Sequence, residues 1–148
     1  MTTDGLFYAL SRYDLRGFMI EPASVDPYLQ RSSIRGGPNA HLQVGPDWER
    51  LMAVLPELAD GVVVEGTPAM QCLVWPAGRV ESGAQQLKAL SASVFSERVQ
   101  QWHAQQPSAA NGIDVLDSLR QLVRLQAELR QFVDAAATRR DAMLLYAV

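Results

Sequence analysis

Lysine is almost missing from this chain: of 13 basic residues only Lys88 is one, and the rest are arginine. Cysteine also occurs once, as Cys72. A lone thiol excludes an intrachain disulfide and a cysteine zinc cluster, and it suits a reducing compartment. The only histidines, His41 and His103, lie far apart, and neither has a carboxylate three or four positions on, so no common metal-ligand spacing is present. No P-loop and no G-x-G-x-x-G occurs. Gly36-Gly37-Pro38 lacks the lysine and hydroxyl that phosphate binding needs and reads as a turn. No apolar run approaches the length of a membrane span, and Met1 to Gly5 has no cationic leader, so neither a span nor a signal peptide is expected. The expected location is cytoplasmic, or virion-associated for a phage assembly protein.

Charge of one sign is lacking too. The net charge of −3 is mild, and 1–46 carry four basic and four acidic residues while 113–148 carry five of each. Arg120, Arg124, Arg130, Arg139 and Arg140 are the best nucleic-acid candidates, but Asp117, Glu128, Asp134 and Asp141 dilute them. A concentrated basic face is what nucleic acid or an anionic bilayer requires, so neither is an expected partner.

What is present suits a single domain over 1–148: 48% hydrophobic and 20% charged residues can bury a core without staples. Thr3 or Asp4 can cap a first helix to about Arg16, with Leu6, Phe7, Leu10 and Tyr13 at helical spacing and Gly17 as its stop. Phe18 to Glu21 reads as a short strand and Asp26-Pro27 as a short helix start. Gly36 to Asn39 reads as a turn and His41 to Val44 as a strand. Trp48, Leu51, Met52 and Leu55 line a helix that Pro56 interrupts, and Val62 to Val64 form a strand. Residues 69–75 read as a strand, with a short helix as the alternative, because Cys72 to Trp75 is an apolar run cut off by Pro76.

The second half reads as helical. Ser82 caps a helix bearing Leu87, Leu90, Val94, Phe95, Val99 and Trp102, a linker follows near 105–112, and Asn111 caps the last helix. Val115, Leu119, Leu122, Leu125, Leu129, Phe132, Val133 and Ala136 form a broad apolar stripe there. Arg124/Glu128 and Arg130/Asp134 are spaced as flanking pairs, and the pattern breaks at Arg139-Arg140. The expected class is α+β and helix-rich: a small sheet in the N-terminal half (1–80), then an antiparallel helix pair within 82–148 whose last helix is long.

Beyond the helix, Ala142 to Val148 is apolar on every side, so it either packs on its own core or is buried against another subunit. The leading functional expectation is a non-enzymatic subunit of a protein assembly, of phage or prophage type or otherwise. It associates through Leu122, Leu125, Leu129, Phe132, Val133, Met143, Leu144, Leu145 and Tyr146, with a protein partner or a second copy and with no cofactor or metal. Two alternatives stand beside it: a small-ligand or enzymatic site around Trp48, Cys72, Trp75 and His41, and an antitoxin-like regulator that binds one cognate protein.

Overall fold

The computed structural model describes residues 4–24, 41–45, 47–65, 67, 71–105 and 112–148, with the side chains of 112–116 and 118 outside that description. The class is α+β and helix-rich. Five strands, β1 (Gly5–Leu10), β2 (His41–Gly45), β3 (Val62–Val63), β4 (Gln71–Trp75) and β5 (Ala142–Ala147), form one sheet in the order β2-β1-β5-β4-β3. Every neighbouring pair is antiparallel. Among the described residues the helices are α1 (Arg12–Ile20), α2 (Trp48–Val54), α3 (Ala77–Ala89), α4 (Ala92–Ala104) and α5 (Gly112–Thr138).

The apolar C-terminal segment is the middle of the sheet. β5 pairs with β1 over its whole length, Gly5 opposite Ala147 and Leu10 opposite Ala142, and with β4 on its other side. Its six residues are at most 6% exposed. A strand buried on both faces has no polar side to show, which is why it reads as continuously hydrophobic. Met143 and Leu145 point to one core, together with Phe7, Leu73, Trp75, Trp48, Phe95 and Leu129. Leu144 and Tyr146 point to the other, with Tyr8, Leu10, Cys72, Val74 and Phe18.

Several local expectations change. Residues 5–10 are a strand, not the start of a helix, because Leu6 to Leu10 is itself a run buried on both faces. Ser11 then caps α1, its Oγ accepting from the Asp14 N–H at 3.2 Å, so Phe18 to Ile20 close a helix where a strand was expected. The helix expected from Ser82 begins earlier and breaks: α3 ends at Ala89, and Ser91 caps α4 by accepting from the Val94 N–H. Lys88 near the end of α3 meets Asp134, while Ala77 at its start shares a cleft with Thr138 and Arg140, so α3 and α5 run antiparallel. The strands at 41–45, 62–63 and 71–75 and the helix from Trp48 stand as expected. The turns and caps expected at 26–27, 36–39 and Asn111 lie outside the described residues.

The end of α5 explains the break at Arg139-Arg140. The Arg140 N–H donates to the Ala137 carbonyl and the Asp141 N–H to the Ala136 carbonyl, with Arg140 at φ 59°. That is a Schellman turn with arginine at the left-handed position glycine usually fills. It reverses the chain from helix into β5.

Two close approaches fix the helices on the sheet. A Cβ at Gly5 would lie 2.1 Å from the Trp48 ring, so the indole rests directly on the β1 backbone. Trp75 Nε1 donates to the Leu58 carbonyl, and the Arg79 guanidinium covers the Trp75 ring at 4.0 Å while donating to the carbonyls of Glu57 and Asp60. The 3-10 turn Pro56–Ala59 is thereby tied to α3.

Candidate functional site

The residues expected to form a contact surface turn out to be internal. Leu122, Leu125, Leu129 and Val133 on α5 are buried in the core against the sheet, and Phe132 is half-buried beside them. Met143, Leu144, Leu145 and Tyr146 belong to the central strand. All nine serve the protein's own interior, so an interface through this helix stripe and tail gives way to a core role. The physical reason is that both faces of the sheet need covering, and these are the side chains that cover and fill it.

The alternative ligand site does not assemble either. Trp48 and Trp75 lie in the helix-covered core and Cys72 in the core on the opposite face of the sheet. His41 is exposed on the edge strand, with its ring 5.8 Å from Tyr8. His41 packs beside Tyr8 and so shares a face of the sheet with Cys72, but it stands on β2 and Cys72 on β4, with β1 and β5 between them. Three strand spacings of about 4.8 Å keep nucleophile and base too far apart to exchange a proton. Among the described residues no group of three His, Cys, Asp or Glu side chains is placed to hold a metal ion.

Open clefts on the surface carry mixed charge. One of about 590 Å³, at the start of α3, is lined by Arg12, Glu81, Lys88, Asp134 and Arg140. Lys88 and Asp134 there form an ion pair at 2.8 Å, so Asp134 is held across helices by Lys88. Another, of about 570 Å³ between β2 and α5, is lined by Asp47, Asp117, Arg120, Arg124 and Glu128. Among the described residues, two buried polar atoms, His103 Nδ1 and Gln126 Nε2, have no hydrogen-bond partner. They are sealed from solvent and lie on different helices.

The feature that stands apart is the outer face of α1. Phe18 is buried in the second core with Leu15 partly buried beside it, and this fixes which side of the helix faces inward. At about 100° per residue, Tyr13 and Ile20 fall within about 20° of each other and opposite that inward side. They are 85% and 77% exposed. Gly17 lies between them, and a Cβ there would meet nothing within 4 Å. Met19, half-exposed, lies about 100° round the helix from Ile20, away from this face. An amphipathic surface helix ordinarily shows polar residues at its outermost position. Here the outermost position carries an aromatic and a branched aliphatic side chain, one turn either side of a gap. The sequence signal for it was Tyr13 to Ile20 at seven-residue spacing. A helix read over 5–16 sets Tyr13 in line with Leu6, Phe7 and Leu10 and so hides that spacing.

Among the described residues no helix is long and apolar enough to cross a membrane. No protein-family model matches the chain, and neither does any curated protein. Among solved structures the chain is similar to the crystal structure of a protein of unknown function, YfbM from Escherichia coli, at a TM-score of 0.61 and 9% identity. The likeness covers 96% of this chain and 97% of that one, and at such low identity it is a likeness of fold.

Proposed function

We propose that the chain is a non-enzymatic subunit that works by binding another protein chain, and that its contact surface is the outer face of α1. The observation that carries this is the aligned, exposed pair Tyr13 and Ile20 flanking Gly17, on a helix anchored by Phe18. Isolated exposed apolar side chains are ordinary, but an aromatic and an aliphatic aligned on one outward stripe are of the kind that anchor interfaces. Phe18 and Leu15 hold the inner side of α1 against the second core, so the outer face is presented on an already formed helix, which lowers the ordering cost of binding.

The test is site-specific photo-crosslinking in the cells that make the protein. A photoreactive benzoylphenylalanine replaces Tyr13 in one variant and Glu97, an exposed position on α4, in a control. A discrete higher-mass adduct from position 13, absent from position 97 and lost on adding Ile20→Arg, supports the reading. Equal labelling at both positions, or none at position 13, overturns it.

A further inference from the structure

Resting on that reading, we propose that the partner is a second copy of this chain, docked α1 to α1 with the two helices parallel about a two-fold axis. Charge placement on the helix selects both the occupant and the direction. With Tyr13 and Ile20 at the centre of the outer face, Arg12 and Arg16 fall on one flank and Glu21, at the C-cap, on the other. Arg16 and Glu21 are exposed, and among the described residues neither side chain has an ion-pair partner.

A two-fold axis perpendicular to the helices would make them antiparallel and bring like flanks together, setting Arg16 against Arg16 of the partner subunit. An axis along the helices brings unlike flanks together. Arg16 then faces Glu21 of the partner subunit, and symmetry repeats the pair. Flanking charges of this kind set partner choice and direction in parallel helix pairs. Tyr13 and Ile20 meet their own counterparts across the axis, and Gly17, with open space above it, lets the backbones approach. The surface is self-complementary, as a two-fold interface requires.

The contact is small. Nine residues of helix span about 13.5 Å, and the stripe they offer falls well short of the ~800 Å² per partner of a stable interface. The dimer is therefore weak and concentration-dependent.

Sedimentation equilibrium of the full chain from about 10 µM to about 1 mM reads it directly. The average mass should climb toward twice the monomer across that range, and Ile20→Arg should hold it at the monomer while far-UV circular dichroism stays native. Arg16→Glu and Glu21→Arg should each weaken association by about tenfold, and combining the two exchanges in one chain should restore it. A dimer that survives Ile20→Arg, or single exchanges without effect, would overturn the proposal. So would a monomer at every concentration: if position 13 then crosslinks to a different protein, self-pairing falls and the protein-binding reading stands. If position 13 crosslinks to nothing, both fall.

Discussion

Replacing Gly5 by alanine adds one methyl group at a place where the structure has no room for it. The added Cβ would lie 2.1, 2.2 and 2.5 Å from three atoms of the Trp48 indole. Ordinary carbon contacts are about 3.5–4.0 Å, so the ring must move by more than about 1 Å. It is poorly free to do so. Trp48 is 1% exposed, lies 5.1 Å from the Phe7 ring, and donates from Nε1 to Gln71 Oε1 at 3.0 Å. Overpacking of this kind costs about 1–3 kcal/mol, and a strained or lost indole hydrogen bond adds ~0.5–1.5 kcal/mol. Against this, alanine in a strand loses less chain entropy than glycine, which returns about 0.5–1 kcal/mol. The net destabilisation is about 0.5–4 kcal/mol, and each kcal/mol lowers Tm by roughly 2–4 °C in a domain of this size. Urea titration followed by tryptophan fluorescence and far-UV circular dichroism measures it. Gly78→Ala is the matched control: its Cβ would meet nothing within 4 Å, so it should be neutral or stabilising. In a Trp48→Leu background the penalty at position 5 should largely disappear. Wild-type stability in Gly5→Ala, or the same penalty with and without the indole, would refute the reasoning.

Other perturbations test the central strand and the turn that feeds it. Leu144→Ala and Leu145→Ala, fully buried on opposite faces of the sheet, should each lose about 2.7–5 kcal/mol of unfolding free energy by urea titration. Removing 142–148 should abolish the cooperative thermal transition, and a truncated chain that still melts cooperatively would contradict the assignment of β5. Arg140→Gly relieves a left-handed backbone and should raise stability by about 1 kcal/mol. An unchanged urea midpoint in that variant would show that position 140 does not hold φ 59° in solution.

The parts of the fold that the sequence showed are those whose signals are local. Pro76 cutting off Cys72 to Trp75, Trp48 to Leu55 at helical spacing and Val62 to Val63 as a β-branched pair each act within a few residues. The α+β, helix-rich class followed from these. The parts that were hidden depend on distant partners. Gly5 to Leu10 and Ala142 to Ala147 are apolar runs that become strands only because each supplies the other's hydrogen bonds. Read alone, the first imitates the opening of a helix and the second an exposed sticky end. The same error carried into the site: with β5 taken as a possible docking tail, the stripe on α5 read as an interface, although it covers β5 and its neighbours. The α1 face depends on Ser11 starting the helix and Phe18 anchoring it, and the second of these is a tertiary contact.

The position of β5 also sets an order of assembly during synthesis. β1 pairs with β2, and β3 with β4, from stretches made early, but β1 and β4 are joined only through β5. Between the end of β4 and the start of β5 the ribosome must first deliver α3, α4 and the 27 residues of α5. Until then only the β1–β2 and β3–β4 pairings of the finished sheet are available to the nascent chain, and each leaves an inner edge unpaired, an arrangement prone to pair with a neighbour. Gly5 meets Ala147 across nearly the whole length of the chain, so the contact that closes the sheet is also the slowest to find. Translation speed through the α5 codons, and chaperones that shield β-edges, should therefore affect the yield of folded protein.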